Sequence, residues 1–137
     1  SPRSKSLERA TVEQVRKYHL EERVLFSSFN PISLWRIKRI APEMPIGLLY
    51  SNRLHLPGTM AWIALMFPHE AQHPEHTLVD GRCMARARHR GYQINTWEVN
   101  EPEEMQRLVA LGVSSIITNV PDVLRGVLEA TREQTTT

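Results

Sequence analysis

The stretch GYQINTWEVNEPEEMQRLVALGVSSIITNVPDVL, from Gly91 to Leu124, decides the fold. Gln93 to Val99 reads as a strand. Asn100-Glu101-Pro102-Glu103 reads as a helix start, with Asn100 as cap, an acidic first turn and Glu103 at the capping-box position. Met105, Leu108, Val109 and Leu111 form the inner face of that helix, and Gly112 closes it. Val113 to Thr118 reads as the next strand, and Asn119 to Pro121 turns into a final helix expected to end near Ala130. The order is therefore strand, helix, strand, helix, with Trp97 and Asn100 where the first strand ends. Chains of the α/β class carry their working residues at the carboxyl ends of strands.

Working towards the start, the same alternation continues. Thr77 is expected to cap a helix that carries Val79, Cys83, Met84 and Ala87 and ends at Gly91. Glu70 to His73 reads as a short strand. Thr59 to Phe67 reads as a buried helix after a polar loop over Ser51 to Gly58. Ile46 to Tyr50 is a short strand. Asn30-Pro31 starts a helix that runs to about Ala41, where Pro42 and Pro45 stop it. Arg23 to Phe29 reads as a buried strand, and Leu7 to Leu20 as a surface helix. Residues 1–6 are expected to fray, and residues 131–137 form a polar tail. Strand then helix recurs at least four times. No Gly-rich phosphate loop follows any strand, which disfavours a dinucleotide-binding fold. The periodicity by itself allows an open doubly wound sheet or part of a barrel.

Composition narrows the function classes. With 41% apolar and 23% charged residues the chain is globular rather than disordered. Its net charge of +2 is too small and too dispersed to indicate a nucleic-acid protein. The single cysteine, Cys83, rules out an internal disulfide and a cysteine metal site. The apolar run Met60 to Phe67 is far short of the ~20 residues of a membrane span. No signal peptide is recognisable, so a cytoplasmic setting is the default expectation.

The motifs Val24 to Pro31, Ala41-Pro42 through Pro45 to Tyr50, His89-Arg90-Gly91, Ile94 to Asn100, and Leu111-Gly112-Val113 through Ile116 to Pro121 together resemble the C-terminal part of glycerophosphodiester phosphodiesterases. The likeness spans about residues 12 to 128. It implies an α/β fold, a TIM-barrel-like (β/α)8 domain of which this chain supplies about five β/α units, strands four to eight. Residues 7–130 would then be the C-terminal portion of a single phosphodiesterase barrel domain. The family's His-Arg-Gly, its second histidine and its acidic metal ligands belong to the first strands, and the resemblance implies that these lie outside the chain. His89-Arg90-Gly91 is not that motif, because it ends a helix rather than a barrel strand. Two positions depart from the family's usual Trp-Thr-Val-Asn and Thr-Asp: here they read Trp97-Glu98-Val99-Asn100 and Thr118-Asn119.

Candidate pocket residues follow. Trp97 stands at a strand end, where its ring could wall the glycerol side of a pocket; the bland reading is a core aromatic. Asn100 could hold substrate or a loop, although helix capping alone explains it. Ser28 could bind phosphate or make a local turn bond, and Phe29 could wall the pocket. Asn119 and Pro121 are expected to shape the last strand-to-helix loop. Glu98 alternates with Trp97; it could reach a metal or base at the rim, but the favoured expectation is a salt bridge among the outer helices. His69, His73 and His76 have zinc-like spacing, but Pro68 and Pro74 break the helix that would align them. No catalytic residue and no metal ligand is assigned within this chain.

By resemblance the parent enzyme hydrolyses a glycerophosphodiester to a glycerol phosphate and an alcohol, with Mg²⁺ or Ca²⁺ on the phosphate and two histidines as acid and base. The isolated chain is expected to be inactive. It is also expected to pair with the missing first part of the barrel or to self-associate. The competing expectation is a half-barrel binding or structural module without catalysis. A third is a small doubly wound protein, which requires a different strand order.

Overall fold

The computed structural model describes residues 2–51 and 69–135, with side chains from residue 7 onward. The helix expected over Thr59 to Phe67, and most of the loop before it, lie outside the described residues. Five strands follow one another in the sheet in chain order: β1 (Phe26–Ser28), β2 (Ile46–Tyr50), β3 (Ala71–Pro74), β4 (Gln93–Thr96) and β5 (Ser115–Ile116). The registered pairs run parallel, Phe26 opposite Ile46 and Asn95 opposite Ser115. A doubly wound sheet reverses its strand order at a switch point. The described strands run without a reversal, as consecutive β/α units of a barrel do. The doubly wound expectation falls on that order.

The helices are α1 (Pro2–Lys17), α2 (Pro31–Ile40), α3 (Gly81–Arg90), α4 (Pro102–Leu111) and α5 (Pro121–Thr135). No helix among the described residues is long and apolar enough to cross a membrane. The chain divides into two compact units, Ser1–Gln72 and His73–Thr137.

In the first unit, α1 buries Val12 and Val15 against Leu34, Ile37, Met44 and Ile46. Leu7 and Tyr18, on the same helical segment, are exposed. The helix begins at Pro2, and His19 ends it at φ 55, with Leu20 N–H bonded back to the Val15 carbonyl at 3.0 Å. That is the left-handed stop more often made by glycine. β1 is shorter than the expected Arg23 to Phe29 because Arg23 N–H is spent on a turn to the Leu20 carbonyl. Asn30 caps α2 as expected, its Oδ1 accepting from Ile32 N–H at 3.0 Å. In β2 the residues Ile46, Gly47 and Leu48 are all buried, the mark of a strand covered on both faces. Glu70 secures its start, accepting Ile46 N–H at 2.8 Å and pairing with Lys38 at 2.6 Å.

In the second unit, Val79, Cys83, Met84, Ala87, Ile94, Val99, Met105 and Leu108 form the core. Three expected boundaries are corrected. Asp80, not Thr77, caps α3 by accepting from Cys83 N–H at 2.7 Å. His76–Leu78 forms a 3-10 turn instead. The residue before α4 is Glu101, and no side chain caps this helix. Asn100 and Glu103 therefore do not form the expected capping box. α5 continues to Thr135 rather than stopping near Ala130. Thr131 and Thr135 donate their hydroxyls to the carbonyls four residues back, and the helix continues through both. Gly91 and Gly112 end α3 and α4 in left-handed geometry, at φ 74 and φ 82.

Candidate functional site

The carboxyl ends of β4 and β5 lie in the second unit, and a polar network joins them. Asn100 Oδ1 accepts from Asn119 N–H at 2.9 Å and from the Thr118 hydroxyl at 3.2 Å. Glu98 Oε1 accepts from the side-chain amides of Asn119 and, at 3.4 Å, of Asn100. Thr118 Oγ1 in turn accepts from Val120 N–H at 3.1 Å. One carboxylate and two amides thus fasten the loop after β4 to the loop after β5. Ladder bonds hold the same two segments, Val99 N–H to the Ile117 carbonyl at 3.0 Å and Ile117 N–H to the Thr96 carbonyl at 2.8 Å.

Glu98 was expected among outer helices and is found here, exposed at the strand ends. β4 ends at Thr96, so Glu98 lies beyond the strand, in the segment that the loop after β5 meets. The signal that could have located Glu98 is its spacing from Asn100 just beyond a short strand.

Trp97 is half-buried. Its indole N–H donates to the His73 carbonyl at 2.7 Å, and its backbone N–H to the Pro74 carbonyl at 3.3 Å. The ring is therefore fixed by its own chain, and the indole proton is engaged there. Asn95, two residues back, meets His73 through its side-chain amide at 3.0 Å. An amide nitrogen only donates, so His73 Nε2 accepts and the ring proton sits on Nδ1. His73 is buried, and burial pushes its pKa below the ordinary 6.5. It stands neutral at pH 7.

The other two histidines of the 69–76 segment have different partners: His69 meets Gln72 at 3.1 Å, and His76 meets Glu104 at 2.9 Å. Among the described residues no group of three or more His, Cys, Asp or Glu is gathered as a metal site. These residues do not by themselves fit a divalent cation.

In the first unit, Ser28 ends β1. Its hydroxyl oxygen accepts Asn30 N–H at 3.0 Å, a local turn bond. Phe29, next in the chain, is 38% exposed. The five residues read as pocket candidates thus fall into two groups. Ser28 and Phe29 belong to the first unit, and Trp97, Asn100 and Asn119 to the second. Asn100 and Asn119 are in direct contact. What the second group offers chemically is a rigid aromatic wall and neutral amide groups, suited to binding and orienting a polyol or phosphate rather than to proton transfer.

Comparison with known proteins bears on this arrangement. The sequence profile of the glycerophosphoryl diester phosphodiesterase family matches residues 2–123. A curated relative from Caldanaerobacter subterraneus subsp. tengcongensis, named glycerophosphodiester phosphodiesterase, is 34% identical over 118 residues, covering 86% of this chain and 47% of its own. The chain spans about half the length of the curated relatives that it matches over most of its own length. Among solved structures, a protein of Silicibacter pomeroyi named as a glycerophosphoryl diester phosphodiesterase superposes with a TM-score of 0.81 at 27% identity, covering 93% of this chain and 45% of that one. A phosphodiesterase of Oleispira antarctica, solved with the product sn-glycerol-3-phosphate, superposes with a TM-score of 0.73 at 19% identity, covering 92% and 50%.

Proposed function

The chain belongs to the glycerophosphoryl diester phosphodiesterase family, and from that premise we propose that it is the C-terminal portion of a barrel that hydrolyses glycerophosphodiesters to a glycerol phosphate and an alcohol. The observation that carries the reading is the network of Glu98, Asn100, Thr118 and Asn119 beside the fixed ring of Trp97, at the carboxyl ends of two parallel strands. Strand ends of that kind are where barrel enzymes assemble their sites. The product held by the Oleispira antarctica phosphodiesterase supports a glycerol phosphate as the ligand class.

In this reading Trp97 presents a ring face to the glycerol carbons, since its N–H is already bound. Asn119 and Asn100 orient the last loop, and their remaining amide protons face phosphate or glycerol oxygens. The acid and base histidines, and the ligands of a divalent cation, come from a segment outside these 137 residues. When bound, such a cation would neutralise phosphate charge.

The length relation to the relatives also suits a second reading, a half-barrel that binds without catalysing. One assay separates them. The longer polypeptide carrying this sequence is given a glycerophosphodiester, and release of glycerol phosphate is followed for wild type and Trp97→Ala. Turnover is expected, with kcat/KM reduced roughly tenfold or more by the substitution. No turnover by the longer polypeptide would favour the binding module. Unchanged kcat/KM in Trp97→Ala would remove Trp97 from the pocket.

A further inference from the structure

Helices α1 and α2 carry far more positive charge than the rest of the chain. Arg3, Lys5, Arg9, Arg16, Lys17, Arg36, Lys38 and Arg39 stand against Glu8 and Glu13, a net +6, where all 137 residues together carry +2. The remainder therefore carries −4. Arg16 and Lys38 are tied to Glu43 and Glu70, and Arg36 lies 3.5 Å from the buried Glu8. Arg9 and Arg39 have no carboxylate partner among the described residues.

The same two helices show apolar side chains to solvent. Leu7 is 68% exposed, Trp35 42% and Ile32 38%. An open groove of about 390 Å³ lies along the two helices, lined by Ile32, Trp35 and Ile40 together with Arg9, Arg36, Arg39 and Glu8. Ile32, Trp35, Arg36 and Arg39 follow the spacing of one helical face. The Arg39 guanidinium lies 4.9 Å from the centre of the Trp35 ring, so cation and aromatic present one surface.

We propose that this α1–α2 face docks on an anionic phospholipid bilayer. Tryptophan settles at the boundary between hydrocarbon and headgroup, and arginines beside it meet lipid phosphates. A face of this kind lies on a membrane instead of spanning it. Charge complementarity selects an anionic surface. The exposed Leu7 and Ile32 select lipid over nucleic acid, since phosphate backbone alone offers them no apolar medium. Two such faces carrying the same charge repel, which disfavours a second copy of the chain.

The test is co-sedimentation of the 137-residue chain with vesicles. Vesicles of phosphatidylcholine alone are compared with equal parts phosphatidylcholine and phosphatidylglycerol. The variants are Trp35→Ser, the pair Arg9→Glu with Arg39→Glu, and the pair Arg82→Glu with Arg88→Glu. The last pair makes the same charge change on α3, whose exposed face holds no large apolar residue. All five positions are exposed, and circular dichroism checks the fold. The chain is expected to bind the mixed vesicles, to leave them as salt rises, and to lose roughly tenfold in partition with Trp35→Ser or with Arg9→Glu and Arg39→Glu, while the α3 pair has no effect. Failure to bind, equal binding to neutral vesicles, insensitivity to Trp35→Ser, or an equal loss with the α3 pair would each overturn the proposal. So would displacement of the vesicles by a double-stranded oligonucleotide that Trp35→Ser binds undiminished, which would assign the face to nucleic acid.

Discussion

Asn100 uses both ends of its amide: the oxygen takes Asn119 N–H and the Thr118 hydroxyl, and the nitrogen reaches Glu98. Replacing it by alanine leaves those two donors to water and frees the loop after β5. Asn100→Ala is expected to cost about 1–2 kcal/mol, read as a shift in the urea midpoint without change of slope. If Asn100 served only as a helix cap, Asn100→Ser would restore the lost stability; here serine is expected not to, because it is too short to span both loops. His73 gives a second residue-level expectation. Its proton affinity is lowered by burial, so the unfolded chain binds that proton more readily. Stability therefore falls as pH drops below 6.5, and it rises again as pH returns. His73→Gln should flatten this part of the pH profile. An unaltered profile would show that another group titrates there.

At the scale of elements, Arg107 ties α4 to the 3-10 turn before α3. It donates to the carbonyls of Val79 at 2.7 Å and His76 at 3.0 Å, and to Glu104 at 2.6 Å. Arg107→Met should cost about 1–3 kcal/mol, as charged hydrogen bonds are lost and two carbonyls lose their partner. The Arg107 guanidinium, helped by His76, holds the Glu104 carboxyl down to about 2, from an ordinary 4.5. Its contribution is therefore complete above pH 4.5 and disappears as pH falls towards 2. Glu104→Gln should shrink that acid limb in a chemical-denaturation series. The elements themselves were largely legible in the sequence. Asn30-Pro31, Gly91 and Gly112 carry local chemistry that needs no tertiary partner, and each marks the boundary it was read for. The boundaries that moved depend on remote groups. Val113 N–H goes to the Leu108 carbonyl at the end of α4, so β5 begins later than the apolar pattern suggests. Asn100 is drawn from capping α4 by donors on the loop after β5, 18 and 19 residues along, which no local pattern encodes. The bond from Asn119 to Glu98 is equally remote in sequence, so the favoured placement of Glu98 among the outer helices did not hold.

On the scale of the whole molecule, five parallel strands keep chain order and two cores of aliphatic side chains cover them. That much follows from alternating strand and helix patterns, and the choice of barrel over doubly wound sheet follows from strand order. The chain matches about half the length of its curated relatives. Its described residues offer binding groups and a neutral histidine, without a gathered set of metal ligands. Under the proposed function, recognition falls to this portion of the barrel and the chemistry to a segment outside these residues. The measurement that tests this most directly is release of glycerol phosphate from a glycerophosphodiester by the 137-residue chain alone, and again after addition of a separately produced segment bearing the family's first three strands. No turnover is expected from the chain alone, and divalent-cation-dependent turnover from the pair. Turnover by the chain alone would contradict that expectation, and so would a pair that assembles and stays inert.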